Sequence, residues 1–236
     1  MPAQPITVPY PVEKSCAINI DFNGDEYVLR WDGDWRMTPD LTSFPLVDNS
    51  SVTLIPHSER VKELWGKSQV LTYGADGHIR ILDSCEDEFS VCKVAINDCQ
   101  RQLLQEELCL LQHLSSKNIP VVRVHQEPLA DEKGIFGFRM ERLSNIDIDN
   151  AAKYISEVAI AFEELHRGGV VHYDISPGNI MLNHEGLVTI IDFGRAGYIG
   201  QEVPSTKIVG RPKGKEIYSV ESDNDSLEKV SSMYQF

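Results

Sequence analysis

No run of apolar residues in this sequence approaches the roughly 18 needed to cross a bilayer, so a transmembrane helix is not expected. Residues 1–15 have neither a basic stretch nor an apolar core, so no signal peptide is expected. Positive charge is scarce: 22 Lys and Arg stand against 36 Asp and Glu, a formal net charge of −14. That balance argues against nucleic acid and against an anionic membrane surface as partners, because both call for basic patches. Cysteine is sparse as well, with Cys16, Cys85, Cys92, Cys99 and Cys109, no CxxC and an odd count. Three of the five fall at seven-residue steps, but across predicted strands and a helix start, so no single element aligns them. They read as reduced thiols of a cytoplasmic chain, the nucleus being the other compartment allowed. Internal repeats and low-complexity tracts are absent too. What the sequence does hold is 236 residues, 42% of them hydrophobic, enough to pack one large or two small domains.

The informative stretch is residues 170–194, VVHYDISPGNIMLNHEGLVTIIDFG. Val170–Val171, Ile180–Met181–Leu182 and Val188–Thr189–Ile190–Ile191 read as short buried strands. Asn183-His184-Glu185-Gly186 reads as a hairpin turn between the last two. The hairpin folds Asn179 back toward Asp192. The carboxylates of Asp174 and Asp192 and the amide of Asn179 then converge at one edge of a small sheet. Hard oxygen donors gathered this way suit Mg2+. Taken singly, HxD, NIM and DFG are common, and a lone DFG is most often a turn. The five-residue step from Asp174 to Asn179 is more restrictive, because it matches the template H-R-D-x-x-x-x-N.

On these residues the chain resembles the protein-kinase superfamily, and the variant His-x-Asp-Ile-Ser-x-Gly-Asn is most similar to a fungal group of kinase-like proteins. The resemblance implies an α+β, bilobal fold, with a small β-rich N-lobe carrying one helix and a mainly helical C-lobe. It implies ATP and Mg2+ as ligands. Asp174 would accept the proton of the substrate hydroxyl, Asn179 would hold one Mg2+, and Asp192 would bridge metal to the β- and γ-phosphates. The acidic composition does not oppose this, since such a site needs only a local positive field.

Upstream, strands are predicted at Gln69–Tyr73, His78–Asp83 and Phe89–Ala95. Gly74-Ala75-Asp76-Gly77 joins the first two, where kinases carry a G-x-G-x-x-G loop over the phosphates. Only Gly74 and Gly77 are present, and Asp76 would repel phosphate, so an ordinary tight hairpin is an equal reading. Ser90-Val91-Cys92-Lys93 stands where the family has V-A-I-K. A lysine among Val91, Val94 and Ala95 must snorkel out or be paired; a surface lysine on an edge strand is the plainer reading. Asp98 is predicted to cap a helix to about Leu114, with Leu104, Leu108, Leu111 and Leu114 on one face. This segment resembles the kinase αC helix. Glu107 is therefore the expected partner that holds Lys93 against the α- and β-phosphates, with Glu106 as the alternative. Without that pairing, both glutamates are solvated helix surface. Ile119–Val124 reads as a strand, and Gly134–Leu143 as another running into a linker. By resemblance, Met140 is the gatekeeper and the backbone of Glu141-Arg142-Leu143 meets adenine. A helix is expected from about Asn150 to His166, stopped by Gly168-Gly169. His166 and His172 lack supporting Cys or His ligands, so His172 is read as packing beneath the loop.

Residues 1–65 lie outside the resemblance. Ile18, Ile20 and Phe22, then Asn23-Gly24, then Tyr27, Leu29 and Trp31 predict a β-hairpin. Trp31 and Trp35 either pack it onto its own domain or anchor a partner. The expected division is an extension over 1–65, an N-lobe over 66–143 and a C-lobe over 144–236. Two departures stand out in the catalytic loop. Tyr173 replaces the arginine that meets an activation-loop phosphate, which implies activity without that switch. Ser176 replaces the lysine that neutralises γ-phosphate, and Arg195 is a candidate substitute. Further on, Gly210-Arg211-Pro212 and Glu216 resemble the end of an activation loop. Lys207, Arg211, Lys213 and Lys215 form a basic patch that is either solvated or receives an acidic substrate. Asp223 would brace the catalytic loop from the next helix. Only 13 residues follow it, so a short C-lobe is expected, with a partner completing it or a non-catalytic role as consequences. The leading expectation is γ-phosphoryl transfer from ATP to a hydroxyl, on protein Ser/Thr by default or on a small molecule. A pseudokinase or binding scaffold is the alternative, and adenylyl transfer a third reading.

Overall fold

A computed structural model of the chain describes residues 2–7, 9–12, 15–74, 77–84, 87–95, 97–204, 207 and 216–233. Ala75, Asp76, Cys85, Gly210-Arg211-Pro212, Lys213 and Lys215 lie outside the described residues, so the readings placed on them are not carried further.

The alternating residues near the start form an antiparallel sheet of β1 (Gln4–Pro5), β2 (Tyr10–Val12), β3 (Ser15–Phe22), β4 (Asp25–Trp31) and β5 (Ser50–Leu54). β3 and β4 make the expected hairpin. Asn23 and Gly24 adopt φ 56° and 86°, the left-handed angles that a two-residue turn needs. Ile18, Ile20, Leu29, Trp31 and Phe44 make a core of their own, whereas Trp35 is exposed. The two tryptophans thus have different fates: one packs the extension and the other faces solvent.

α1 (Glu59–Trp65) is a helix in the stretch for which only a hairpin is expected. Ser58 caps it, and Val61 seats against Cys92, Val94 and Phe136. Those three belong to the second sheet: β6 (Ser68–Gly74), β7 (Gly77–Leu82), β8 (Val91–Val94), β9 (Leu129–Asp131) and β10 (Gly134–Met140), in the order β6–β7–β8–β10–β9. β8 is an interior strand, so Lys93 is not the surface residue of an edge. Both neighbours press close to it. A Cβ on Gly77 would lie 2.6 Å from the Val94 carbonyl oxygen, and one on Gly137 would lie 2.5 Å from that of Lys93. Glycine is therefore required at both positions for packing.

α2 (Asp98–Ser115) follows. Its cap is Asn97, whose side chain accepts from Gln100 N–H at 2.9 Å, and Asp98 is the first helical residue. Ile119–Val124 does not form a strand. Pro120 and Val122 bond to Ile190, while Arg123 and His125 bond to Glu141 and Arg139. The segment changes partners halfway, so no continuous ladder can form. The remainder is β11 (Ser144–Asn145), a 3-10 turn at Ile148–Tyr154, α3 (Ile155–Arg167), β12 (Val170–Val171), β13 (Ile180–Leu182), β14 (Val188–Ile190), β15 (Gly197–Tyr198) and α4 (Val220–Met233). The helix expected from Asn150 thus begins as a tighter turn, capped by Asp147. β13 and β14 pair as the predicted hairpin, with β11 beside β13. Leu104 and Leu111 of α2, Phe138 of β10, Phe162 and Leu165 of α3, Ile190 and Phe193 share one apolar core.

A buried polar cluster joins the first sheet to the second. Glu26 accepts from Asn19 at 3.1 Å and pairs with His57 at 3.0 Å, and His78 Nε2 lies 3.7 Å away. His78 is 1% exposed, with Tyr73 against its ring. Burial pushes His78 down to about 4; Arg80 and His57 add to this, and Glu26 opposes it. A depressed histidine contributes stability above its unfolded value near 6.5 and loses it as pH falls toward 4, which amounts to roughly 3 kcal/mol. His78→Phe keeps the ring contact and is expected to flatten the loss of denaturation midpoint between about pH 7 and pH 4.5. An acid limb as steep as that of the wild type would refute this assignment.

Candidate active site

Lys93 sits in the middle of β8 with 7% of its side chain exposed. Its ammonium donates to Glu107 Oε2 at 2.8 Å and Oε1 at 3.0 Å, and to Asp192 Oδ1 at 2.6 Å. Glu107 faces inward because it shares a helix face with Leu104, Leu108 and Leu111, all buried. Its Oε1 also accepts the Phe193 N–H at 3.0 Å. The neighbouring Glu106 faces elsewhere and pairs with Lys207 at 3.4 Å, which settles which glutamate meets Lys93. Burial pulls the Lys93 ammonium downward, but the charges of Glu107 and then Asp192 outweigh it and hold it above its ordinary value. For Asp192, burial pulls upward, and the charge and hydrogen bond of Lys93 prevail, holding its carboxyl below the usual range.

The loop between β12 and β13 is held from below by α4. Asp223, 0% exposed, accepts Tyr173 N–H on Oδ1 and His172 N–H on Oδ2, each at 2.8 Å, and Oδ2 also meets His166 Nε2 at 2.9 Å. These bonds hold Tyr173 at φ 65°, a left-handed angle that an aromatic residue rarely adopts. Asp192 is left-handed as well, at φ 64°. Backbone strain of this kind costs on the order of 1–3 kcal/mol per residue and gathers at functional sites. His172 Nδ1 accepts the Asp174 N–H at 3.3 Å, so the ring proton is on Nε2, which donates to Ile191 C=O at 2.8 Å. Burial pushes His172 down and keeps it neutral. It therefore packs beneath the loop, between Phe162 and Phe193.

Asp174 is half-exposed and lies 3.8 Å from Arg195 Nε. Asn179 donates through Nδ2 to Asp174 C=O at 2.8 Å, which ties the two ends of the loop together. Among the described residues no group of three or more His, Cys, Asp or Glu forms a ready cation cage. The donors on offer are the partly exposed Asp192 carboxylate and the Asn179 amide oxygen. The set suits a hard, small cation that takes its other ligands from phosphate and water.

The linker after β10 is braced. Glu141, 5% exposed, accepts from Arg123 N–H at 2.8 Å and from its guanidinium at 2.9 Å. The Glu141 N–H donates to Arg123 C=O at 3.0 Å. The Glu141 N–H is thereby occupied within the chain, and Leu143 packs half-buried on the core. Gly74 and Gly77 close the β6–β7 hairpin, and the close approach to Val94 accounts for Gly77 without any phosphate. Sequence reasoning missed the bond from Phe193 N–H to Glu107, the role of His166 and the pairing of Tyr173 with Glu216. Only His166 left a signal, as a histidine on the otherwise apolar face of α3.

A family model described as "Protein kinase domain" matches residues 90–213. Among curated proteins, the chain is similar to the Serine/threonine-protein kinase greatwall of Mus musculus, 35% identical over 91 residues, which is 37% of this chain and 10% of that protein. The Gallus gallus counterpart is 34% identical over 91 residues, with the same shares. The Homo sapiens counterpart is 48% identical over 48 residues, 20% of this chain and 6% of that protein. The chain spans a tenth or less of the length of these relatives.

Lys93→Met would leave Glu107 buried without its cation, and the expected cost is about 3–5 kcal/mol in chemical denaturation. Adding Glu107→Leu removes the stranded charge, so the double variant is expected to be more stable than the single one. A double variant less stable than Lys93→Met would show that the carboxylate is not held by the ammonium.

Proposed function

The chain belongs to the protein kinase family, its residues 90–213 matching that family's domain, and from this we propose that it is an ATP- and Mg2+-dependent phosphotransferase. It passes the γ-phosphoryl group to a hydroxyl, on a protein Ser or Thr, with a small molecule as the alternative acceptor. We also propose residues 66–143 and 144–236 as its two lobes and 1–65 as an appended unit. The observation that carries the reading is the closed bridge from Lys93 to both Glu107 and Asp192. A lysine pinned in this way keeps its charge and a fixed position, as holding the α- and β-phosphates requires. The names of the relatives, all Ser/Thr kinases, support a protein acceptor.

Each residue then has a defined task. Asp174, open to solvent and unburdened by Lys93, takes the acceptor proton, and its backbone is fixed by His172 and Asn179. Asp192 and Asn179 would hold Mg2+, whose charge offsets that of the phosphates. Glu107 keeps Lys93 protonated and keeps Phe193 packed. Catalysis here is positioning and charge, with little covalent work for the protein. A binding module without transfer is the second reading. Ser176 supplies no charge, and the contact between Gly77 and Val94 explains that glycine structurally.

Asp174→Asn is expected to lower transfer of labelled phosphoryl from ATP at least about 100-fold. It should keep the rise in melting temperature that Mg–ATP causes. Transfer equal to wild type would refute the role of Asp174. A melting shift in the wild type with no labelled or adenylylated product by mass would favour the binding module.

A further inference from the structure

The aspartate of the catalytic loop has no cation in its own loop, because Ser176 and Gly178 stand two and four residues beyond it. The positive charge beside it comes from Arg195, whose Nε lies 3.8 Å from Asp174 Oδ2. The two side chains are 29% and 42% exposed, so a phosphate can reach both. Arg195 also directly follows Asp192-Phe193-Gly194 and helps to keep Asp192 ionised.

Its backbone is clamped. The Tyr218 hydroxyl donates to Arg195 C=O at 3.0 Å. The Tyr218 ring fills the space over Gly197, where any Cβ would overlap it. That ring meets Tyr173 edge-on at 5.3 Å, and the Tyr173 hydroxyl donates to the Glu216 carboxylate. Val171 and Val203 complete the packing. Burial pushes Tyr218 up to about 12, so its hydroxyl retains the proton that it donates. Tyr173 occupies the position whose usual arginine needs a phosphate partner; here a neutral ring and a native glutamate close the same connection.

We propose that Arg195 is the cation that meets the transferring phosphoryl group beside Asp174, and that the Tyr173–Tyr218 clamp holds it there without phosphorylation of the activation segment. The inference rests on the phosphotransferase reading above. In that transfer the acceptor oxygen bonds to the γ-phosphorus as the bond from that phosphorus to the β–γ bridging oxygen breaks. ADP leaves with the electron pair, and the hydroxyl proton passes to Asp174. Charge is spread over the γ-phosphoryl oxygens, where a planar guanidinium can give two parallel N–H bonds. A serine hydroxyl gives one bond and no charge.

In the full chain, Arg195→Gln is expected to lower kcat about 100- to 1,000-fold and to leave KM for ATP within about threefold. Arg195→Lys should recover part of that loss through its charge alone. Tyr218→Phe removes only the clamp hydroxyl and should lower kcat by about five- to tenfold. Calorimetry with Mg–ADP and aluminium fluoride, a mimic of the planar phosphoryl group, reads the same contact without turnover. Wild type should bind the fluoride complex more tightly than Mg–ADP alone, and Arg195→Gln should lose that margin. Phosphatase treatment should leave wild-type activity unchanged. If Arg195→Gln keeps its kcat or its fluoride margin, or if phosphatase abolishes activity, the inference fails while an inactive Asp174→Asn leaves the phosphotransferase reading standing. A wild-type chain that binds neither complex overturns both.

Discussion

The Lys93 ammonium is enclosed between a helix carboxylate at 2.8 Å and a loop carboxylate at 2.6 Å, and the rest of the site depends on that enclosure. An isolated charge at such depth is prohibitively unfavourable, and removal of one partner strands the other. The three groups come from β8, from α2 and from the segment just after β14, so one ion sets the position of a sheet, a helix and a loop relative to each other. Glu107 extends the constraint by accepting the Phe193 N–H. A buried ion pair is weak evidence for stability, because a well-packed apolar substitute is often as good. Its presence here is better explained by what the site must do than by what the fold needs.

The charge balance of the site has a chemical consequence. Glu107, Asp192 and Asp174 are three carboxylates facing two cations, Lys93 and Arg195. A net negative pocket repels a bare polyphosphate. A divalent cation between Asp192 and the phosphates reverses that sign, and this is the physical reason to expect nucleotide and metal together. The loops that carry these groups are strained at Tyr173 and Asp192. The first is held by Asp223, buried beneath it and bonded to two backbone amides and His166, and the second by the bonds from Phe193 N–H to Glu107 and from His172 to Ile191 C=O. Strain braced at both loops keeps the acidic groups at set distances when no ligand organises them.

Much of this was legible in the sequence. The Asn23-Gly24 hairpin and the strand-turn-strand over 180–190 follow from local chemistry, left-handed turn residues in the one and short apolar runs in the other. The pairing of Lys93 with Glu107 came from the resemblance of 104–114 to a kinase helix, since the lysine alone left a surface position open. The failures have local causes too. Asn97 and Asp98 are both good caps, and sequence could not rank them. α1 buries only Val61, so its apolar pattern is too thin to read. Ile119–Val124 looks like a strand but switches partners at Arg123. The clamp of Tyr173, Glu216 and Tyr218 joins residues more than forty positions apart. Gly137 is required only because a neighbouring strand lies against it. His78 and Arg80, two buried polar residues among the apolar ones of β7, are the sequence trace of the buried polar cluster.

The central claim is that the Lys93 bridge leaves Asp192 poised to hold a metal-bridged triphosphate. The most direct test is a calorimetric titration of ATP into the wild type and Asp192→Asn, each with Mg2+ and with chelator. The account predicts binding by the wild type that requires Mg2+ and is lost, or weakened at least about tenfold, in Asp192→Asn. Equal affinity with and without Mg2+, or an unaltered affinity in Asp192→Asn, would contradict it.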